Sequence, residues 1–102
     1  MPGWVKMASL EELASGQAKE VEHEGRIFAL FLQNGEVAAV DGICPHQGGP
    51  LADGEVVGSC VTCPWHGWQF DIKTGATSVN KRIKLPVYEV RLEGSDVFVL
   101  TP

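Results

Sequence analysis

"CPWHGWQF", residues 63–70, sets a cysteine and a histidine with two residues between them, among a proline, a glycine and two tryptophans. A second stretch, "CPHQGGPL" at 44–51, places Cys44 and His46 on either side of one proline. Each pair is short enough for both side chains to point at one centre from a single loop. Proline after each cysteine stiffens the loop, and the nearby Gly48 and Gly67 let the backbone come close to whatever is bound. Sixteen residues separate His46 from Cys63. Cys44, His46, Cys63 and His66 are therefore candidate metal ligands.

The rest of the chain sets the frame for that site. Its 102 residues suffice for one domain, and 44% hydrophobic residues allow one modest core without disulfide scaffolding. Three cysteines are an odd count, which fits metal ligands plus one spare better than a disulfide framework. A net charge of −5 argues against nucleic acid or an anionic membrane as partner and suits a basic docking face on another protein. No apolar run approaches the ~20 residues that cross a bilayer. The opening "MPGWVKMASLEEL" has no charged leader followed by an apolar stretch. A cytoplasmic location, where thiols stay reduced, is the expectation.

Periodicity predicts short strands. "WVKMA" is a first strand, and Ser9 with Glu12 forms a capping box that starts one brief helix. "AKEVEHE" and "RIFALFLQ" pair around Glu24-Gly25, and Asn34-Gly35 turns the chain back into "EVAAV". "EVVGSCVTC" turns at Gly58-Ser59, and "WQFDI", opening on Trp68, runs into "KTGA". The alternating tail "VYEVRLEGSDVFVL" reads as one closing hairpin that turns between Glu93 and Asp96. The predicted fold is all-β, an antiparallel sandwich or partly open barrel, with the Cys/His loops at strand ends. A Cys2His2 set also suits zinc. Structural zinc sites, however, more often use C-x2-4-C and H-x3-5-H pairs than one cysteine and one histidine on each loop.

C-x-H, sixteen residues, then C-x-x-H, carried in "CPHQGGPLADGEVVGSCVTCPWHGWQFDIKTG", resembles the Rieske-type [2Fe-2S] ferredoxins over essentially the whole chain. The resemblance implies a single Rieske domain over 1–102, with a small cluster-binding subdomain at one end and ligand loops at about 43–51 and 62–70. One [2Fe-2S] cluster is implied as cofactor. Cys44 and Cys63 would hold the inner iron, and His46 and His66 the outer one. The charge arithmetic agrees. Two ferric ions, two sulfides and two thiolates sum to zero, where four thiolates would give −2. A neutral site takes an electron more easily, which accounts for a Rieske range of about −150 to +300 mV.

The resemblance also sets a place within that range. The respiratory and photosynthetic members carry a further cysteine in each loop, where this chain has Gly49 and Trp65, so no such bridge forms. Their serine and tyrosine donors to the cluster sulfurs correspond to Trp68 and Phe70 here. Fewer donors mean a lower potential, toward the bottom of the range. Trp65 is expected to be partly exposed and to share in docking, and Trp68 to shield the cluster. Pro50 and Leu51 are expected to close over the site, and Pro86 of "IKLPVY" to cover it from a third loop. Cys60 is read as a small, buried or half-buried strand residue facing away from Cys63. His23 is a solvated strand-end residue, and "NKRIK", 80–84, a solvated loop.

An oxygenase of this class needs two more histidines and a carboxylate for a mononuclear iron, and only His23 is left over. No glycine-rich βαβ unit is present for a nicotinamide or flavin. The expectation is not an enzyme but a monomeric electron carrier, between an NAD(P)H-dependent flavoprotein reductase and a terminal oxygenase. Two alternatives stand beside it: the small Rieske-like subunit of an assimilatory NAD(P)H nitrite reductase, and a non-redox module whose metal only holds loops together.

Overall fold

The structure is a computed structural model that describes residues 3–16, 18–33, 35–43, 50–64, 68–77, 83 and 85–101. Ten strands run through it: β1 (Gly3–Ser9), β2 (Ala18–His23), β3 (Arg26–Gln33), β4 (Glu36–Asp41), β5 (Glu55–Val57), β6 (Cys60–Thr62), β7 (Gln69–Asp71), β8 (Val87–Tyr88), β9 (Val90–Glu93) and β10 (Asp96–Thr101). One helix, α1 (Leu10–Gly16), follows β1. The strands form three antiparallel sheets, in the orders β1-β10-β9, β2-β3-β4-β8 and β5-β6-β7. The fold is all-β in character, as the alternating patterns predict.

Local chemistry explains the boundaries. The Ser9 hydroxyl accepts from the Glu12 N–H at 3.2 Å, and Glu12 accepts from the Ser9 N–H at 3.0 Å. This is the predicted capping box, and it starts the helix where β1 stops. Lys19 holds Glu12 from β2 at 2.6 Å and keeps its carboxyl below the usual carboxylate range. The hairpin β2–β3 turns through Glu24 and Gly25, both at positive φ, the mirror-image turn that matches strand twist.

The four-stranded sheet is the middle layer, and alternation along β3 decides what lies on each side. Phe28 and Leu30 enter a core with Met7, Ala8, Leu13, Ala39, Val97 and Val99, which joins this sheet to α1 and the β1-β10-β9 sheet. Ala29 and Phe31 enter a second core with Val40, Leu51, Val61, Cys63, Phe70, Ile72 and Leu85, under the β5-β6-β7 sheet. One strand therefore supplies both cores, because successive side chains point to opposite faces.

Two readings of the sequence change here. The tail is not one hairpin. β8 pairs with β4 in the middle sheet, whereas β9 pairs with β10 in another, and the chain changes sheets at Glu89, whose carbonyl accepts the Leu100 N–H at 3.0 Å. The alternating pattern stays unbroken because both stretches bury one face. The last strand of the third sheet is assigned from Gln69 and not Trp68, although the Cys63 N–H donates to the Trp68 carbonyl in register with the β6–β7 ladder.

Candidate metal centre

Of the proposed ligands, Cys63 lies among the described residues, and Cys44, His46 and His66 lie outside them, as do Gly48, Gly49, Trp65 and Gly67. The roots of both ligand loops are described, however, and they show how the loops are held. The first is pinched by an antiparallel bridge between Ile43 and Pro50, and the Leu51 N–H donates to the Gly42 carbonyl at 2.9 Å. The second is closed by the Cys63 N–H donating to the Trp68 carbonyl at 2.7 Å. Each loop is thus a short excursion from a backbone clamp, as two rigid fingers would require.

The fingers stand on one floor. Cys63 is 1% exposed and shares its core with Leu51, Val61, Phe70 and Leu85. Trp68 and Ile83, half-buried, pack against the same core. A cysteine buried among hydrocarbon neighbours packs readily as a neutral thiol, and as a thiolate it would need a cation to take its charge. Alternation along β6 carries Val61 inward with it and leaves Cys60 half-buried on the other side, as expected of a residue without a part in the site. His23 ends β2 half-buried, its Nε2 4.0 Å from a Glu24 carboxylate oxygen, in keeping with the strand-end reading.

The covering residues divide. Leu51 is fully buried at the start of a single 3-10 turn, Leu51–Asp53, and forms part of the floor. Pro50, half-buried, makes the bridge to Ile43 at the loop root. Pro86 is exposed, and its carbonyl accepts the Asp41 N–H at 2.9 Å, which ties the proline segment to the strand that leads into the first loop. Phe70 is buried and offers only hydrocarbon, and its ring lies 6.4 Å from that of Trp68.

Two glycines that pattern reading passed over hold the arrangement. A Cβ on Gly54 would lie 2.2 Å from the Thr62 carbonyl oxygen, so only glycine lets the exit of the first loop run against the strand ending at Thr62. Gly75, at φ +78, would place a Cβ 1.9 Å from the Leu85 carbonyl oxygen, and its own carbonyl accepts the Leu85 N–H at 2.8 Å. That contact roots the segment running to Pro86 beside the same floor. A Gly in "ADGEV", between a ligand loop and a strand, was the available signal for the first of these.

Two loop roots clamped beside one apolar floor, with a buried cysteine at the foot of one, are features that a β-sheet protein holding a metal–sulfur centre needs. Residues 3–89 match the Rieske [2Fe-2S] domain, and the chain belongs to that family, whose cofactor is a Rieske-type [2Fe-2S] cluster. It is 33% identical over 99 residues to the ferredoxin component of a naphthalene 1,2-dioxygenase system of Pseudomonas aeruginosa, covering 94% of this chain and 93% of that one. It is 36% identical over 88 residues to a cholesterol 7-desaturase of Ciona intestinalis, covering 84% of this chain and 19% of the desaturase. The chain therefore spans less than a fifth of that relative.

Among solved structures it superposes at TM-score 0.87 and 26% identity on a chain from the complex of reduced oxygenase and oxidized ferredoxin in carbazole 1,9a-dioxygenase, covering 95% of this chain and 92% of that one. A protein assigned as the small subunit of an NADH-dependent nitrite reductase of Mycobacterium tuberculosis matches at TM-score 0.89 and 24% identity, over 100% of this chain and 97% of that one, a likeness of fold. Among the described residues no helix is long and apolar enough to cross a membrane.

Proposed function

We propose that the protein is a one-electron carrier that takes electrons from an NAD(P)H-dependent flavoprotein reductase and passes them to a terminal oxygenase, acting as a cytoplasmic monomer. The observation that carries this reading is the buried Cys63 at the clamped foot of one loop, on the floor from which the first loop also rises. Cys44 and Cys63 would hold the iron nearer that floor, and His46 and His66 the outer one. When bound, the cluster supplies reversible one-electron chemistry. The chain's part is to bury the cysteine end, to hold both loops by backbone clamps, and to leave the histidine end for a partner. Likeness to the dioxygenase ferredoxin component over nearly the full length of both chains favours the oxygenase as acceptor. The nitrite reductase alternative is supported by solved small subunits of the same fold, at 24% and 25% identity.

The test has two stages. Purified protein reduced with dithionite should give the electron paramagnetic resonance signal of a single [2Fe-2S] centre with imidazole ligands. A midpoint well above zero millivolts would contradict the low potential inferred from Phe70 and Trp68. Reduced protein should then support single turnover by a ring-hydroxylating oxygenase and not by a sirohaem nitrite reductase; the reverse preference would select the alternative. A potential that stays flat into strongly alkaline solution would remove the histidines from the ligand set, since imidazole protons bound to the centre must become harder to lose on reduction.

A further inference from the structure

β7, the strand that returns from the second ligand loop, ends at Asp71, whose half-buried carboxylate serves two turns at once. One oxygen accepts the Lys73 N–H at 2.8 Å and the Thr74 N–H at 3.2 Å, and the other accepts the Ser59 hydroxyl at 3.4 Å from the turn between β5 and β6. The Asp71 main chain closes the same turn. Its carbonyl accepts the Gly75 N–H at 2.7 Å, and its N–H donates to the Ala76 carbonyl at 2.9 Å. Gly75, at φ +78, is thereby set with its own carbonyl on the Leu85 N–H.

From there a line of backbone bonds runs to the other ligand loop. The Gly75 carbonyl accepts from Leu85 at 2.8 Å. The next residue, Pro86, offers its carbonyl to the Asp41 N–H at 2.9 Å, and Gly42, after Asp41, offers its carbonyl to the Leu51 N–H at 2.9 Å, where the first loop returns. Side chains hold the middle of this line: Arg26 donates to the Tyr88 hydroxyl at 3.0 Å, and that hydroxyl donates to an Asp41 carboxylate oxygen at 3.4 Å. Leu85 and Leu51, both on the line, are fully buried in the core that also holds Cys63. The β6–β7 ladder itself pairs Cys60 with Asp71 through main chain and does not call for a carboxylate there.

We infer that Asp71 is a positioning residue for the metal centre: through the turn it caps and the bonds from Gly75 to Leu51, it fixes the root of the first ligand loop relative to that of the second. The inference rests on the carrier reading above, in taking both loops to ligate one centre. Ligands on two loops share a centre only while the loop roots keep their spacing, so a joint that opens between the roots releases metal without unfolding the domain. Without the carboxylate, the Lys73 and Thr74 N–H groups and the Ser59 hydroxyl lose their acceptor. Lys73 and Thr74 are exposed, so water replaces that acceptor and the turn opens at low cost.

The test compares cluster-loaded wild type, Asp71→Ala, Asp71→Asn and Leu30→Ala, the last as a destabilised reference from the opposite core. Iron should pass to a chelator on the order of tenfold faster in Asp71→Ala than in Leu30→Ala, since the lost bonds act on local opening. Asp71→Asn keeps an oxygen for Lys73 and Thr74 and should restore the wild-type rate. Hydrogen exchange read by mass spectrometry should quicken in the segments containing Asp41, Leu51 and Leu85 in Asp71→Ala, with β1 and β10 unchanged. A residue that only shapes its own turn would quicken exchange at Lys73 and Thr74 alone and leave iron release at the wild-type rate, which overturns the inference. Equal iron loss from the Asn and Ala variants overturns it as well. If Asp71→Ala does not fold, exchange of the wild type in low denaturant decides: the amides at 41, 51 and 85 should open in one step with those at 73 and 74, and separate openings reject the positioning role. A wild type that keeps its iron but cannot be reduced removes the carrier reading alone.

Discussion

The two cores on either face of the middle sheet differ in what they are made of and in what they ask of a ligand. The core facing β1, β10 and α1 is hydrocarbon throughout the described residues, with Met7, Leu13, Phe28 and Leu30 at its centre. Nothing in it needs a metal. The core facing the ligand loops has Phe31, Leu51, Phe70 and Leu85 around a cysteine, and it lies between the middle sheet and the β5-β6-β7 sheet, with the loop roots at its edge. Both sides bury large apolar side chains, and one of them also buries a sulfur beside a loop root. The lesson is that β3, through simple alternation, lets a small domain carry a metal site without building its whole core around it.

The sharpest way to break this contrast is Cys63→Ser. It should abolish the chromophore while leaving the far-ultraviolet circular dichroism of the other sheets largely in place, whereas Cys60→Ser should keep the colour. Loss of colour in the Cys60 variant would mean that the ligand set is wrong. On the other side, Leu30→Ala should cost about 3 kcal/mol in denaturant unfolding, within the span for buried leucines, and leave the visible spectrum of the folded protein unchanged. A changed spectrum would show that the two cores are not separable.

Gly54→Ala sharpens the boundary between them. Its Cβ meets the Thr62 carbonyl oxygen, so backbone must shift where the segment leaving the first loop passes the strand that leads to the second. The expected cost is about 1–3 kcal/mol, with faster loss of iron to a chelator than in wild type. Unaltered iron retention would mean that the close approach does not couple the loops. The smallest effect should come from Asp41. Its raised carboxyl gives a stabilising contribution that is full below the unfolded value of 3.8 and is lost as pH rises through the folded pKa. Thermal melts of wild type should therefore show a decline across the weakly acidic range that Asp41→Asn lacks.

Much of this was open to reading before any coordinates. The capping box of Ser9 and Glu12, the Glu24-Gly25 turn and the hairpin at Gly58-Ser59 are local chemistry, decided by residues a few positions apart, and the structure has them as expected. Cys63 was recognisable by its spacing from His66 and by its neighbours. What could not be read depends on distant partners. The pairing of β1 with β10 leaves no local mark, and neither does the exchange of sheets at Glu89. Leu51 was expected near the site because it follows a ligand loop, whereas its complete burial is set by what packs on it from β3 and β6. The Arg26–Tyr88–Asp41 chain joins residues up to 62 positions apart and has no sequence signature at all.

The register of the outer sheet has a further meaning. Gly3 lies opposite Thr101, and the Thr101 hydroxyl holds the Gly3 carbonyl at 3.0 Å, on the side of the middle sheet away from the metal loops. The register thus fastens the first described strand to the last, so that neither frays from the sheet without freeing the other.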